Sequence, residues 1–406
     1  MPWALVYHNL KGHPLRSLLT LGSIAIASFL LCFLRSVLVG LEAGVSASSS
    51  NRVVVQSAVS LFVDLPVSYQ PRIAQVPGVA GVCKFQWFGG IYQDPGNFFA
   101  QFGVDADKFL DTYPEVRILR GPPPLSSDPE DAGRSAHERA ARAFETRRTA
   151  CLIGKDLSRK FGWGPGDTIP ILGTIFPRTD GSAWQFDVVG VYESTSANVD
   201  QNTMFFRWDY LDETLETGGA GGPRGVGVYT VRLEPGAPVE AVSRKIDEMF
   251  QNGPQRVQAT TEAEFQRQFV SMLGSVPTFL SSIGGGVLFA ILFAVLNTML
   301  MAARERTHDL GILKALGFSD GVAAGLLLCE SLLLCTLGGL LGVGGMLALK
   351  AGLAVALSSF LPNFDVTPET ALLSLGAAVA IGLLAGIVPA WQARQLRPVE
   401  ALRAEV

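Results

Sequence analysis

The chain has 406 residues and a net charge of −4, with 32 Lys and Arg against 36 Asp and Glu. That balance supplies no basic field of the kind nucleic-acid binding needs. Charged residues make up only 17%, and the uncharged apolar stretches gather at residues 17–39 and 268–393. This distribution argues against a wholly soluble protein and for membrane helices flanking a water-soluble domain.

Residues 1–16 read as an amphipathic cytoplasmic helix carrying Lys11 and Arg16. Residues 17–39 form the first expected span, with Arg35 near its far end, where it can snorkel to the interface. The run is long for the core of a signal peptide, and Arg35 separates it from the small residues at Ser46 and Ala47. Retention as a span is therefore expected.

Residues 40–274 are expected to form an extracytoplasmic α/β domain with its stalk. Residues 40–267 are mildly acidic, with 22 Lys and Arg against 28 Asp and Glu. Strand patterns at Arg52–Gln56, Phe186–Tyr192 and Gly227–Leu233 alternate with helical ones such as Pro238–Phe250. Residues 121–148 resemble an insertion: a Gly-Pro-Pro-Pro turn, an acidic stretch, then a charged Ala-rich segment. An exposed loop with a short helix is the expectation, and a lid over a substrate path is the alternative. Thr261–Phe269 is polar but helix-compatible, so the second span is expected to begin as a rigid stalk outside the membrane. Leu41–Ser50 offers the matching exit from the first span.

Residues 275–303 form the second expected span. No Lys, Arg, Asp or Glu occurs from Gln268 to Ala303, enough chain to cross a bilayer. A connector at 304–319, a third span at 320–349, a short outer loop at 350–369, a fourth span at 370–391 and a cytoplasmic tail at 392–406 follow. Lys11, Arg16, Arg304, Arg306, Lys314, Arg394, Arg397 and Arg403 flank one side, while the loop at 350–369 carries only Lys350 against Asp365 and Glu369. The positive-inside rule then places both termini in the cytoplasm. Glu330 is the single acid inside a span. It lies within about three helical turns of the cytoplasmic end, so contact with the interface or with a basic group there is expected over proton coupling. Clusters at Gly284–Gly286 and Gly338–Gly345, and the pair Gly382 and Gly386, favour close helix packing.

The connector carries the functional signal. Leu310, Leu313 and Leu316 recur at helical spacing behind Arg304, Glu305 and Arg306. A surface helix held between two spans is suited to pass force between a soluble partner and the membrane. The catalytic inventory is mostly negative: the sequence contains no Gly-x-x-x-x-Gly-Lys-Ser/Thr loop and no His-Glu-x-x-His. The four His are scattered, and the five Cys lack zinc spacing. A Cys83–Cys151 disulfide is chemically permitted in an outer domain, with simple packing the expectation.

The segment Glu305-Arg306, then Asp309-Leu310-Gly311-Ile312-Leu313-Lys314-Ala315-Leu316-Gly317, resembles the signature of FtsX-like permeases, the MacB/LolC/LolE class of ABC transporter membrane subunits. Asp309-Leu310-Gly311 stands where the family usually has Glu-Ile-Gly. Asn9-Leu10 with Pro14 and Arg16–Thr20, and Pro389-Ala390 through Leu396–Arg403, resemble the family's ends. Ile153–Leu157, Gly166–Thr168 and Val188–Tyr192 are similar to the MacB-type periplasmic domain. The resemblance implies a four-span inner-membrane permease without catalytic residues or bound cofactor or metal. ATP and Mg would sit on a separate ABC ATPase. A second permease copy or paralogue is implied, and a periplasmic adaptor or outer-membrane component can accompany the family. Glu305, Arg306, Asp309, Gly311, Leu313, Lys314, Ala315, Leu316 and Gly317 would form the coupling helix. Transport of lipoprotein, lipid, peptide or drug from the outer side is the leading expectation; FtsX-like signalling to an extracytoplasmic hydrolase is the alternative.

Overall fold

The computed structural model describes residues 14–124, 133–272, 274, 276–357, 361 and 364–396. The expected N-terminal helix at 1–16, most of the tail at 392–406 and the centre of the 121–148 insertion lie outside these residues. Two compact units are present. One holds residues 41–272 and 357–363; the other holds 1–40, 273–356 and 364–406.

The first unit is built on an 11-stranded mixed sheet. Its elements begin with β1 (Arg52–Ser57), α2 (Tyr69–Ala74), β2 (Val79–Trp87), β3 (Gly90–Ile91), β4 (Ala100–Val104), α3 (Ala106–Thr112) and β5 (Val116–Arg120). There follow α4 (Ala136–Thr146), β6 (Ala150–Gly154), α5 (Lys155–Phe161), β7 (Thr168–Gly173), β8 (Trp184–Ser194) and β9 (Thr203–Arg207). The unit closes with α6 (Trp208–Glu216), β10 (Val228–Leu233), α7 (Val239–Phe250), β11 (Val257–Thr261) and α8 (Glu262–Met272). Strand order is β11-β1-β10-β2-β4-β9-β6-β8-β7-β3, with β5 paired to β8. Strand β1, beside the edge strand β11, is buried along its whole length, as a Val-Val-Val run flanked by β10 and β11 requires. Helix α7 seats Val242, Ile246 and Phe250 on the sheet, and the Phe250 ring stacks on Tyr69 at 4.0 Å. In the insertion, α4 opens with Ser135 accepting from the Glu138 amide while the Glu138 carboxylate accepts from the Ser135 amide. Ala140, Ala143 and Phe144 bury its inner face, so this half of the insertion belongs to the core. Cys83 and Cys151 are both buried and unpaired.

In the second unit four helices are long and apolar enough to cross a membrane. They are α1 (Pro14–Ala47), α9 (Val276–Glu305), α11 (Asp320–Leu357) and α12 (Pro368–Gln395), with α10 (Thr307–Ala315) between α9 and α11. Helix α11 runs eight residues past 349, into the segment expected as a loop. The glycines of α11 and α12 set close contacts. A Cβ at Gly342 would stand 2.3 Å from the Ala25 carbonyl oxygen, and one at Gly382 would stand 2.9 Å from the Cys335 Cβ. Ser331 Oγ donates to the Gly382 carbonyl at 2.8 Å across that contact. Gly285, Gly286 and Gly344 have open space instead: no described residue stands within 4 Å of where their Cβ would be.

The rigid stalk expected from Thr261 into the second span is interrupted. Helix α8 ends at Met272, Gly274 takes φ +64°, and α9 restarts at Val276 with Pro277 in its first turn. A left-handed glycine ends a helix, and proline is tolerated only at the start of the next.

Candidate functional site

Helix α10 is delimited by backbone geometry at both ends. Arg306, at φ −100° and ψ 15°, breaks the helix between α9 and α10. Gly317, at φ +91°, turns the chain toward α11, a conformation that other L-residues adopt at a cost.

Two cations fix α10 to its unit. Arg306 Nη1 donates to Glu330 Oε2 at 2.5 Å, with both side chains largely buried. Lys314 Nζ donates to the carbonyls of Arg394 at 3.1 Å and Leu396 at 2.8 Å, and pairs with Asp320 at 2.7 Å. The two carbonyls lie at the C-terminal end of α12, where intrahelical donors run out, and Asp320 sits in the first turn of α11. A lysine there meets both orphan acceptors and the negative end of the helix dipole. Leu310 is buried with Ala303, Ala323, Leu327 and Ala393, and Leu313 packs against the same group.

The other face of α10 is open. Ile312 is 40% exposed, Leu316 72% and Phe318 45%, beside exposed Glu305, His308, Asp309 and Ala315. Leu310, Leu313 and Leu316, which recur at helical spacing in the sequence, therefore do not share one face. The first two meet the bundle, because spans on either side leave the helix one inner and one outer face. Of the expected site residues, Arg306, Gly311, Leu313 and Lys314 face inward; Glu305, Asp309, Ala315 and Leu316 face outward; Gly317 makes the turn. The sequence reading missed Ile312, His308 and Phe318. Ile312 stands three residues after Asp309 and four before Leu316, and His308 four before Ile312, so these two had a signal at helical spacing, whereas Phe318 lies beyond the helix and had none.

Among the described residues no cluster of three or more His, Cys, Asp or Glu could hold a metal ion. The α/β domain has a pocket of about 240 Å³ beside the β8–β9 loop, lined by Asp156, Ser194, Ser196, Val199 and Asp200. Burial, with the charge of Asp156 adding to it, pushes the Asp200 carboxyl up to about 6, against hydrogen bonds from the Asn202 amide and Thr203 hydroxyl.

Residues 17–249 match the family model of the MacB-like periplasmic core domain, and residues 281–398 match that of the FtsX-like permease C-terminal region. The chain belongs to the MacB/FtsX-type ABC transporter permeases. As a permease of this type it is a multi-pass inner-membrane protein, with its α/β domain inserted between the first and second spans. It is similar to the pyoverdine export ATP-binding/permease protein PvdT of Pseudomonas savastanoi pv. phaseolicola, 30% identical over 54% of this chain and 33% of that protein. It is also similar to the macrolide export ATP-binding/permease protein MacB of Hyphomonas neptunium, 34% identical over 35% of this chain and 20% of the relative. An uncharacterized ABC transporter permease of Methanocaldococcus jannaschii is 25% identical over 54% of this chain and 55% of its own. The chain thus spans a third or less of the export relatives and about half of the archaeal permease.

Proposed function

We propose that this permease is the membrane subunit of an ATP-driven exporter that takes substrate from the outer side, and that a separate ABC ATPase docks on the open face of α10. The observation that carries this reading is the two-sidedness of α10. Arg306, Lys314 and Leu310 bind it to the spans, while Ile312, Leu316 and Phe318 form an uncovered apolar strip among charged neighbours. A helix anchored in this way cannot shift without moving the spans to which it is tied. A partner seated on the strip therefore acts on the bundle. In the same reading ATP and Mg belong to the partner, both termini and α10 are cytoplasmic, and a second permease copy or paralogue completes the assembly. An adaptor or outer-membrane component would join outside. Substrate is a lipoprotein, lipid, peptide or drug, and mechanical transmission replaces a path through the spans. The match of the α/β domain to the MacB-like core domain, and the export names of PvdT and MacB, favour transport over signalling to a hydrolase.

The deciding experiment reconstitutes the permease with the ABC ATPase that co-purifies with it and measures phosphate release. Wild-type permease is expected to stimulate hydrolysis and Leu316→Asp to abolish stimulation while remaining inserted. Equal stimulation by Leu316→Asp and Ile312→Asp would remove the docking assignment. Stimulation without release of any cargo, together with activation of a hydrolase, would select signalling.

A further inference from the structure

The α/β domain contains a second polar assembly, at the point where chain arrives from the first span and leaves for the second. Arg52 opens β1, directly after the turn at 50–51 that follows α1, and its side chain is buried. All five guanidinium N–H groups have acceptors. Nε donates to Glu262 Oε2 at 3.1 Å, and Nη2 to the same oxygen at 3.0 Å. Nη2 and Nη1 grip the two oxygens of Glu115 at 2.6 and 3.0 Å, and Nη1 reaches the Thr112 carbonyl at 3.0 Å. The cation lies 4.3 Å from the Tyr113 ring centre. Burial alone would weaken the guanidinium's hold on its proton, but the Glu115 hydrogen bonds and the surrounding negative charge raise its affinity further. Burial likewise works against the Glu115 charge, and the bonds from Arg52 and Asn198 outweigh it.

Glu262 is the first residue of α8, and the same Oε2 also accepts the Ser49 amide at 2.7 Å. One carboxylate therefore joins the backbone just beyond α1, the start of β1 and the base of α8. The β8–β9 loop reinforces the joint. Asn198 Nδ2 donates to Glu115 at 2.9 Å and Glu262 at 3.4 Å, and Ser196 Oγ donates to the carbonyl of Ala47, the last residue of α1.

We infer that Glu262 is a positioning residue for transmission, clamping the base of α8 to the exit of α1 so that both connections move the sheet as one body. A bidentate arginine held by two carboxylates permits little rotation, unlike a contact between apolar side chains. The clamp is needed because Gly274 interrupts the connection from α8 to α9. Movement arriving along the chain of α1 then reaches α8 through Ser49 and Arg52. This role rests on the exporter reading above, whereas the clamp itself can be tested without any ATPase.

The test uses the full chain in lipid nanodiscs, cysteine-free apart from spin labels at Ser271 on α8 and Thr168 on β7. Pulsed electron resonance of the wild type is expected to give one narrow distance. Glu262→Gln, which keeps the shape but removes the charge, is expected to broaden it, and Asn198→Ala to broaden it less. The paired Arg52→Glu, Glu262→Arg reversal should narrow it again. If Glu262→Gln and Asn198→Ala both give the wild-type distance, the clamp is refuted. With the ATPase added, Glu262→Gln should still stimulate hydrolysis but lose any nucleotide-dependent distance change between Thr168 labels on two copies. A purely structural residue would lower both together, and that result would overturn the positioning role. No stimulation by wild-type permease, with the Glu262→Gln broadening intact, would sink the exporter reading and leave the clamp standing.

Discussion

Arg306, at the break between α9 and α10, reaches Glu330, three turns into α11, and the two side chains are largely buried together. The pair identifies the basic partner that an acid within a span requires. Removing one member leaves the other charged without compensation, at a cost of about 3–5 kcal/mol. Replacing both by apolar groups of similar volume costs far less. Arg306→Met and Glu330→Leu are each expected to lower the melting midpoint in detergent clearly, and the double variant to recover most of the loss. A double-mutant cycle from thermal melts measures this. Additive losses would show that the two groups do not interact.

The two faces of α10 separate stability from docking. Leu310→Asp places a charge among Ala303, Ala323, Leu327 and Ala393, where an unpaired carboxylate costs on the order of a few kcal/mol. Leu316 is 72% exposed, so Leu316→Asp should change stability by no more than about 0.5 kcal/mol. Melting and ATPase stimulation, measured on both variants, are expected to give opposite rankings: Leu310→Asp melts early, whereas Leu316→Asp melts normally and fails to stimulate. Equal melting would mean that the helix is turned otherwise.

Local patterns announced much of this architecture. The apolar runs marked four spans, the Val-Val-Val run marked β1, and the Glu305–Gly317 segment pointed to the connector. The inner and outer sides of α10 were not legible, because Leu310 and Leu316 are the same residue type at compatible spacing. The packing of α9, α11 and α12 decides which side is covered: Ala303, Ala323, Leu327 and Ala393 bury Leu310, and α12 brings the Arg394 and Leu396 carbonyls to Lys314. The Arg52–Glu262 contact joins residues 210 positions apart, beyond any periodicity. The break in the stalk did have a signal, since Gly274 and Pro277 punctuate an otherwise helical stretch.

Asp200 gives the domain a pH dependence of known sign. Its folded value of about 6 lies above the ordinary 3.8, so the folded state holds the proton more tightly than the unfolded chain. Ionised Asp200 therefore costs stability above about pH 6, and the cost is relieved as pH falls from about 6 toward 4. At about 1.4 kcal/mol per unit the contribution is bounded near 3 kcal/mol. Asp200→Asn removes the ionisation. Melting midpoints of the two proteins are expected to differ most at pH 7.5, with Asn higher, and to converge as the pH nears 4. A constant difference across that range would assign the effect to the lost carboxylate hydrogen bonds instead.

The orientation proposed above rests on the charges beside the spans. Arg304, Arg306 and Lys314 flank the α9–α11 connection, and Arg394 stands in the last turn of α12, while at the opposite ends Lys350, in the last two turns of α11, pairs with Asp365 in the link to α12. Lys and Arg near the ends of spans stay on the cytoplasmic side. His308 on α10 and Glu240 on α7 are both exposed, so either can carry a single cysteine in a cysteine-free chain without disturbing a core. A membrane-impermeant maleimide applied to intact spheroplasts is expected to label the Glu240 position at once and the His308 position only after permeabilisation. The separation depends on an odd number of crossings between residues 240 and 308, and α9 is the one long apolar helix among the described residues there. Labelling of both positions in intact spheroplasts would place α10 and the α/β domain on the same side, and no cytoplasmic ATPase could then reach the Ile312 and Leu316 face.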